Sequence, residues 1–268
     1  MNRTIIKLFL CLCIVTALPS YAYNTVHYYF RTVDIRNGLS QNSVNCIFQD
    51  KKGFMWFGTK DGLSRYDGLS FRIYNNENSN LGRNFITVLY EDSKGNIWVG
   101  TDGGLYIYNP ILDSLTEFNL VSDKGTVIRD FVTMIRCDEH SNLWISVENQ
   151  GLFCYNSGEN KLRNYLHDAG LANVHRFWLN GNTCWLALYG DNLYYTKPLQ
   201  PFKDANGNEI FKDDIINCEI VGPHNYTYIA SSNGLTEVNF VTGKSRRILD
   251  AFARTLEFKS DDELWVGT

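Results

Sequence analysis

No Cys-x-x-Cys pair occurs in the 268 residues, and the five histidines (His27, His140, His167, His175, His224) share no ligand spacing. Zinc and iron–sulfur ligation need such clusters, so both are excluded as expectations, and no cofactor is expected. There is no excess of positive charge: 25 Lys and Arg stand against 29 Asp and Glu, scattered along the chain. A nucleic-acid partner is therefore not expected. No G-x-S-x-G elbow or other nucleophile motif appears. Beyond the N-terminus there is no apolar run of about 18 residues, the length a membrane helix requires. What remains is ordinary globular material, 44% hydrophobic, with an unusual 14% of aromatic residues. Aromatic enrichment favours strands.

The N-terminus reads as a targeting segment. Arg3 and Lys7 precede the apolar run LFLCLCIVTAL at residues 8–18, and the small residues Ser20 and Ala22 follow. That run is too short to span a bilayer but suits a signal-peptide core. Residues 1–22 are expected to be a signal peptide cleaved after Ala22, giving an exported, periplasmic chain with no membrane span beyond that signal. Cleavage removes Cys11 and Cys13 and leaves Cys46, Cys137, Cys154, Cys184 and Cys218. That odd set lies inside strand-like apolar stretches and reads as buried small hydrophobes. Export would permit disulfides.

The string GFMWFGTKDGLSRYDG (residues 53–68) is repeated. GNIWVGTDGGLYIYNP (95–110) and SNLWISVENQGLFCYN (141–156) are close copies. NTCWLALYGDNLYYTK (182–197) and NYTYIASSNGLTEVNF (225–240) are weaker ones, and ELWVGT opens a sixth. The anchors Trp56, Trp98, Trp144, Trp185, Tyr228 and Trp265 recur roughly every 40 residues, a repeat-protein period. Each unit has one grammar: an apolar strand, a tight turn, the strand bearing the anchor, a short loop, a third strand often opened by Gly-Leu, and a fourth strand. In the first two units the turn is Asp-x-x-Gly, at residues 50–53 and 92–95. The Asp can accept from turn amides, and the Gly supplies a positive φ.

Four short antiparallel strands at this period predict an all-β chain, a β-propeller of four-stranded blades. The anchors are then mortar between blades. One buried Trp is worth about 4–6 kcal/mol before entropy costs. The expected blades are residues 42–83, 84–129, 130–171, 172–213 and 214–250, with a partial blade at 251–268. Residues 23–41 are expected to carry a ring-closing strand, read from VHYYFRTVDI (26–35). About five and a half blades are present, so the ring is incomplete. The expectation is a chain cut short by about one and a half blades of a seven-bladed ring; a genuine small ring is the alternative.

The motif D-x-x-G-x-x-W-x-G-T followed by Gly-Leu, seen in NGLSQNSVNCIFQDKKGFMWFGTKDGLSRYDG and ITVLYEDSKGNIWVGTDGGLYIYNP, resembles the two-component regulator propeller repeat. The resemblance covers residues 24–268, strongly in the first three units and weakly in the next two. It implies the periplasmic sensor region of a hybrid two-component histidine kinase, with tandem seven-bladed propellers, a sandwich domain, a membrane helix and a kinase. In that family the propellers sense carbohydrate breakdown products and act on a dimer. No kinase, ATP-binding glycine motif or regulator is found in this chain, so kinase activity is not carried over. Related repeats also occur in proteins without kinases.

If a ligand binds, the loops between second and third strands, together with long inter-blade loops such as residues 76–84, gather at one mouth of the channel. The candidates there are Lys60, Asp61, Asp102, Glu148, Asn149, Tyr189 and Asp191. Polar groups beside an aromatic ring suit a small oligosaccharide. The alternative is that Asp and Asn serve turn chemistry alone. A glycosidase would need two carboxylates facing one site, and the expectation is that the chain is not an enzyme. A second propeller or a homodimer partner is the other candidate for this surface.

Overall fold

A computed structural model of the protein describes residues 29, 31–165, 174–180, 183–189, 191–195 and 200–268. The chain divides into two units, Met1–Val33 and Asp34–Thr268. Of the first, residues 29 and 31–33 are described and lack regular structure. The expected signal peptide and its cleavage point lie outside the described residues, as do residues 26–28 and 30 of the expected ring-closing strand; residues 29 and 31–35 of it are described and form no strand. The rest of that stretch holds a 3-10 turn, Ile35–Asn37, capped by the Asp34 side chain.

The second unit is built of sheets. The first is β1 (Val44–Gln49), β2 (Met55–Thr59), β3 (Gly62–Tyr66) and β4 (Phe71–Tyr74). The second is β5 (Ile86–Glu91), β6 (Ile97–Thr101), β7 (Gly104–Asn109) and β8 (Ser114–Glu117). The third is β9 (Val132–Cys137), β10 (Leu143–Val147), β11 (Gly151–Asn156) and β12 (Lys161–Asn164). The fourth is β13 (Val174–Asn180), β14 (Thr183–Leu188), β15 (Leu193–Tyr195) and the short β16 (Gln200–Pro201). The fifth is β17 (Ile216–Val221), β18 (Thr227–Ser231), β19 (Gly234–Val238) and β20 (Ser245–Leu249). A two-stranded sheet, β21 (Thr255–Ser260) with β22 (Glu263–Gly267), follows. Every sheet is an antiparallel meander in chain order. The first strands touch in succession, β1 to β5 to β9 to β13 to β17 to β21, which places them side by side about a common axis. This is the propeller arrangement expected from the repeat.

The turn between first and second strands explains the Asp. In the first sheet Asp50 Oδ1 accepts from the amides of Lys52 (3.0 Å) and Phe54 (2.9 Å), while Gly53 takes φ +90°. Its other oxygen, Oδ2, accepts the indole N–H of Trp56 at 2.8 Å. Asp92 does the same for Lys94, Asn96 and Trp98. Asp138 does so for His140, Asn142 and Trp144, with Ser141 at φ +61° where the other two units have Gly. The carboxylate thus shapes the turn and also gives the buried indole a hydrogen-bond acceptor.

The anchors of the four-stranded sheets pack between their own sheet and the next. Trp56 lies against Tyr108 of the second sheet, ring centroids 4.8 Å apart, and Leu89 and Val99 share its cluster. Trp98 meets Tyr155 at 5.7 Å and is clustered with Ile135 and Ile145. The Trp185 ring centroid lies 4.0 Å from that of Phe240, in the β19–β20 turn of the fifth sheet. Trp56, Trp98 and Trp185 are buried, and Trp144 and Tyr228 are half-buried. Trp265 departs from the expectation of a core anchor: it is 46% exposed, because its two-stranded sheet has no further sheet laid over that face among the described residues. Cys154 and Cys184 are buried and Cys46, Cys137 and Cys218 half-buried, in line with their reading as small hydrophobes.

Two smaller features set the blade spacing. The residue two places after the anchor is small in every sheet: Gly58, Gly100, Ser146, Ala187, Ala230 and Gly267. A Cβ on Gly58 would lie 2.6 Å from Ile86 Cγ2, and one on Gly100 would lie 2.9 Å from Val132 Cβ, both on the next sheet's first strand. The first strands are also stitched by side chains. Asn45 Nδ2 donates to Ile86 O (2.8 Å), Thr87 Oγ1 to Val132 O (2.6 Å), Thr133 Oγ1 to Val174 O (3.2 Å) and Asn217 Nδ2 to Ala253 O (2.8 Å). His175 holds the corresponding place on β13.

Candidate functional site

A meander of four strands sends its second-to-third-strand turn and its exit to the next sheet to the same end. All seven candidate residues lie on these turns. Lys60 and Asp61 join β2 to β3, Asp102 joins β6 to β7, Glu148 and Asn149 join β10 to β11, and Tyr189 and Asp191 fall between β14 and β15. All are exposed.

The turns are built alike. In the first, second and fifth sheets a buried hydroxyl at the end of the second strand closes the turn: Thr59 Oγ1 donates to Gly62 O (2.9 Å), Thr101 Oγ1 to Gly104 O (2.9 Å) and Ser231 Oγ to Gly234 O (3.2 Å), whereas the third and fourth sheets end that strand on Val147 and Leu188. The next amide returns to the residue before the first strand, from Lys60 to Ser43 O, Asp102 to Phe85 O, Glu148 to Phe131 O and Ser232 to Ile215 O. These bonds hold the turn tips at a fixed height over the inner strands.

The turn and the long inter-blade loop do converge. Asp61 Oδ1 accepts from Asn84 Nδ2 at 2.9 Å, and Asn84 is tied in turn to Asn76. Asn149, at φ +58°, donates to Asp130 Oδ2 at 3.4 Å. Asp191 accepts from the Asn192 amide (2.7 Å) and the Tyr194 hydroxyl (3.3 Å). For Asp61, Asn149 and Asp191, then, local bonding occupies part of the polar group. Tyr189 is 65% exposed, with its ring edge-on to His175 at 5.5 Å. Burial, with the Arg176 charge adding to it, pushes the His175 imidazole down to about 4, so it is neutral at pH 7.

A second concavity of about 790 Å³ lies between the outer edge of the fourth sheet and the β19–β20 turn, lined by Trp185, Phe202, Phe240, Lys203 and Thr242 among others. Its aromatic rings also belong to the inter-blade core.

Sequence reasoning missed a charged group on the axial strands: Arg136 on β9, Arg176 on β13 and Glu219 on β17. The available signal was register, because each stands in a first strand otherwise read as apolar. No group of three or more His, Cys, Asp and Glu among the described residues could hold a metal ion. No helix among them is long and apolar enough to cross a membrane.

A family model described as "Two component regulator propeller" matches residues 38–61 and 80–103. Histidine kinase P4 of Formosa agariphila is 48% identical over 50 residues, which is 19% of this chain and 4% of the kinase. Among solved structures, the extracellular domain assigned to the hybrid two component system BT3049 of B. thetaiotaomicron superposes with a TM-score of 0.73 at 23% identity, over 89% of this chain and 34% of that one. Virginiamycin B lyase from Staphylococcus aureus gives a TM-score of 0.62 at 13% identity, over 84% of this chain and 77% of the lyase. The chain thus spans about a third of the extracellular domain it matches, and a small fraction of the kinase. On the sheet order and the structural matches, the protein is a β-propeller, and its residues 38–61 and 80–103 match the two-component regulator propeller model.

Proposed function

We propose that this propeller is the periplasmic ligand-sensing part of a two-component signal-transduction receptor, that the chain is exported behind a cleaved leader, and that it binds rather than catalyses. The observation that carries the reading is the match to the regulator propeller model at residues 38–61 and 80–103, each of which ends on a rim turn. The ligand proposed is a small oligosaccharide from carbohydrate breakdown, taken at the mouth formed by Lys60, Asp61, Asp102, Glu148, Asn149, Tyr189 and Asp191. An exposed phenol ring offers a flat face to a sugar's C–H groups, and the turn amides and carboxylates offer partners for its hydroxyls. The rim carboxylates are spread over separate turns and two of them, Asp61 and Asp191, are engaged in local bonds, which suits recognition better than acid–base chemistry.

The test is calorimetry of the chain against a panel of oligosaccharides, repeated with Lys60, Glu148 and Tyr189 changed to alanine. The reading expects saturable heat that falls at least tenfold in the variant while the melting temperature stays within a degree or so, because exposed turn residues contribute little to stability. Unchanged affinity in the variant would remove the rim from the account.

A second reading, a protein-interaction surface, draws on Ile47, 60% exposed on a first-sheet face that also carries Phe57. Light scattering that found dimers without any ligand would favour it.

A further inference from the structure

Arg136, Arg176 and Glu219 come from the first strands of three successive sheets, at positions that are mostly apolar elsewhere. Glu219 pairs with Ile229 across its sheet. The register-equivalent residues in the earlier sheets are Ile47, Leu89, Ile135 and Phe177, which pair with Phe57, Val99, Ile145 and Leu186. Arg176, opposite Ala187, stands where the other four-stranded sheets have Cys46, Val88, Met134 and Cys218. Arg136, opposite Trp144, stands where they have Phe48, Tyr90, Trp178 and Ile220, and where the two-stranded sheet has Glu257. Three charged replacements on consecutive blades therefore converge on one point. Since β13 lies between β9 and β17, Arg136 can meet Glu219 only in front of β13, on the axial side.

The group is not self-sufficient. Arg176 Nη1 is 3.5 Å from Glu219 Oε2, and Arg136 Nη2 is 3.8 Å from Glu219 Oε1. A well-made guanidinium–carboxylate bond is about 2.7–2.9 Å. Arg176 Nε is buried and has no hydrogen-bond partner among the described residues. Two guanidinium groups thus share one carboxylate at long range, with an excess of one positive charge and an orphaned buried donor. Such a donor costs free energy until something accepts from it. Glu219 is nearly enclosed, at 7% side-chain exposure, whereas Arg136 is 46% exposed and open to an approaching ligand. The excess positive charge and the unused donor both ask for an anion.

We infer that Arg136 and Arg176 form an oxyanion site in the axial channel, taking a carboxylate, sulfate or phosphate group of a small ligand, with Glu219 setting the spacing of the two guanidinium groups and limiting the affinity. The exposed edges of Arg136 and Arg176, whose side chains are 46% and 29% exposed, donate to the anion's oxygens. This goes beyond the rim reading and does not depend on it.

The experiment is titration of the chain with sodium sulfate, phosphate and acetate, followed by calorimetry, with sodium chloride at matched ionic strength as control. One of the three anions is expected to bind saturably where chloride does not, and the preferred one names the group. Arg136→Gln, at a half-exposed site, should weaken binding at least tenfold. Glu219→Gln removes the competing carboxylate and should tighten it several-fold. Because Arg176→Gln alone would leave Glu219 without its nearer partner, the second variant is the pair Arg176→Met with Glu219→Leu, which restores the residue types of the other blades. It should fold at least as stably and lose the anion. The proposal is overturned if no anion binds beyond the chloride control, if the paired variant binds as the native chain does, or if Glu219→Gln leaves the affinity unchanged or lower.

Discussion

The indole N–H of Trp98 donates to Asp92 Oδ2 at 3.0 Å, while Asp92 Oδ1 holds the amides of Lys94 and Asn96 at 2.9 Å. One carboxylate therefore serves both the hairpin turn and the inter-blade core. Burial tends to raise the Asp92 carboxyl, but the bonds from Trp98, Asn96 and Lys94 outweigh it and the net displacement is downward. Asp138 is displaced downward by the same contest, with Trp144 and Asn142 supplying the bonds. A carboxyl whose folded value lies below its unfolded one stabilises above the unfolded value and loses that contribution as pH falls through the folded value. Asp92→Ala should cost about 2–4 kcal/mol at pH 7. That cost should shrink below the ordinary carboxylate value of 3.8. Denaturant melts of native and variant chains at pH 7 and near pH 3 check both the size and the trend.

Gly100 should resist substitution. A methyl group there would lie 2.6 Å from Val88 Cγ1 and 2.9 Å from Val132 Cβ, so β5 and β9 would have to part. Gly100→Ala is expected to cost about 1–3 kcal/mol as overpacking. Gly53, where a Cβ would meet nothing within 4 Å, provides the contrast: its penalty should come only from φ +90°, not from crowding. Comparing the two alanine variants by thermal melting, with a crystal structure to look for separation of the blades at Val132, separates these causes.

His175 interrupts the ladder that Asn45, Thr87, Thr133 and Asn217 make between first strands. Its folded value of about 4, against 6.5 for the free side chain, reflects burial first and the Arg176 charge second. The unfolded chain therefore takes up a proton that the folded one refuses, and stability falls as pH drops from 6.5 towards 4, by about 3 kcal/mol in all. His175→Asn, the residue used in the first and fifth sheets, should abolish that slope. Unfolding free energies at half-unit steps between pH 7 and pH 4 measure it.

Thr87→Val keeps the shape and removes the hydroxyl bonded to Val132 O at 2.6 Å. It should cost about 1 kcal/mol. Amide exchange in β9 should speed up more than exchange in β1, since the lost bond joins the second sheet to the third.

The sheets were legible because a tryptophan every 40 or so residues is a period no other architecture explains as simply. The acidic turn of the third unit was harder to see. Ser141 stands where the first two units have Gly, yet Asp138 keeps every bond of Asp50, since a serine can occupy φ +61° when the carboxylate fixes the turn. The rim turns could be placed from strand order alone, but the Asn84–Asp61 bond could not, because it depends on the path of a long loop. Arg136, Arg176 and Glu219 were invisible as a group. Each is a lone charge in an apolar strand, about 40 residues from the next, and only closure of the strands about an axis brings them within 4 Å.

The central claim is that the turn-bearing mouth of the propeller receives the ligand. Oxidative footprinting of the chain with and without a bound oligosaccharide tests it most directly, because Tyr189 is exposed at that mouth while Trp56 is 1% exposed in the core. The account predicts that the ligand protects Tyr189 severalfold and leaves Trp56 unmodified in both states. Protection confined to the opposite end, around Tyr66 or Tyr226, with Tyr189 as reactive as before, would contradict it.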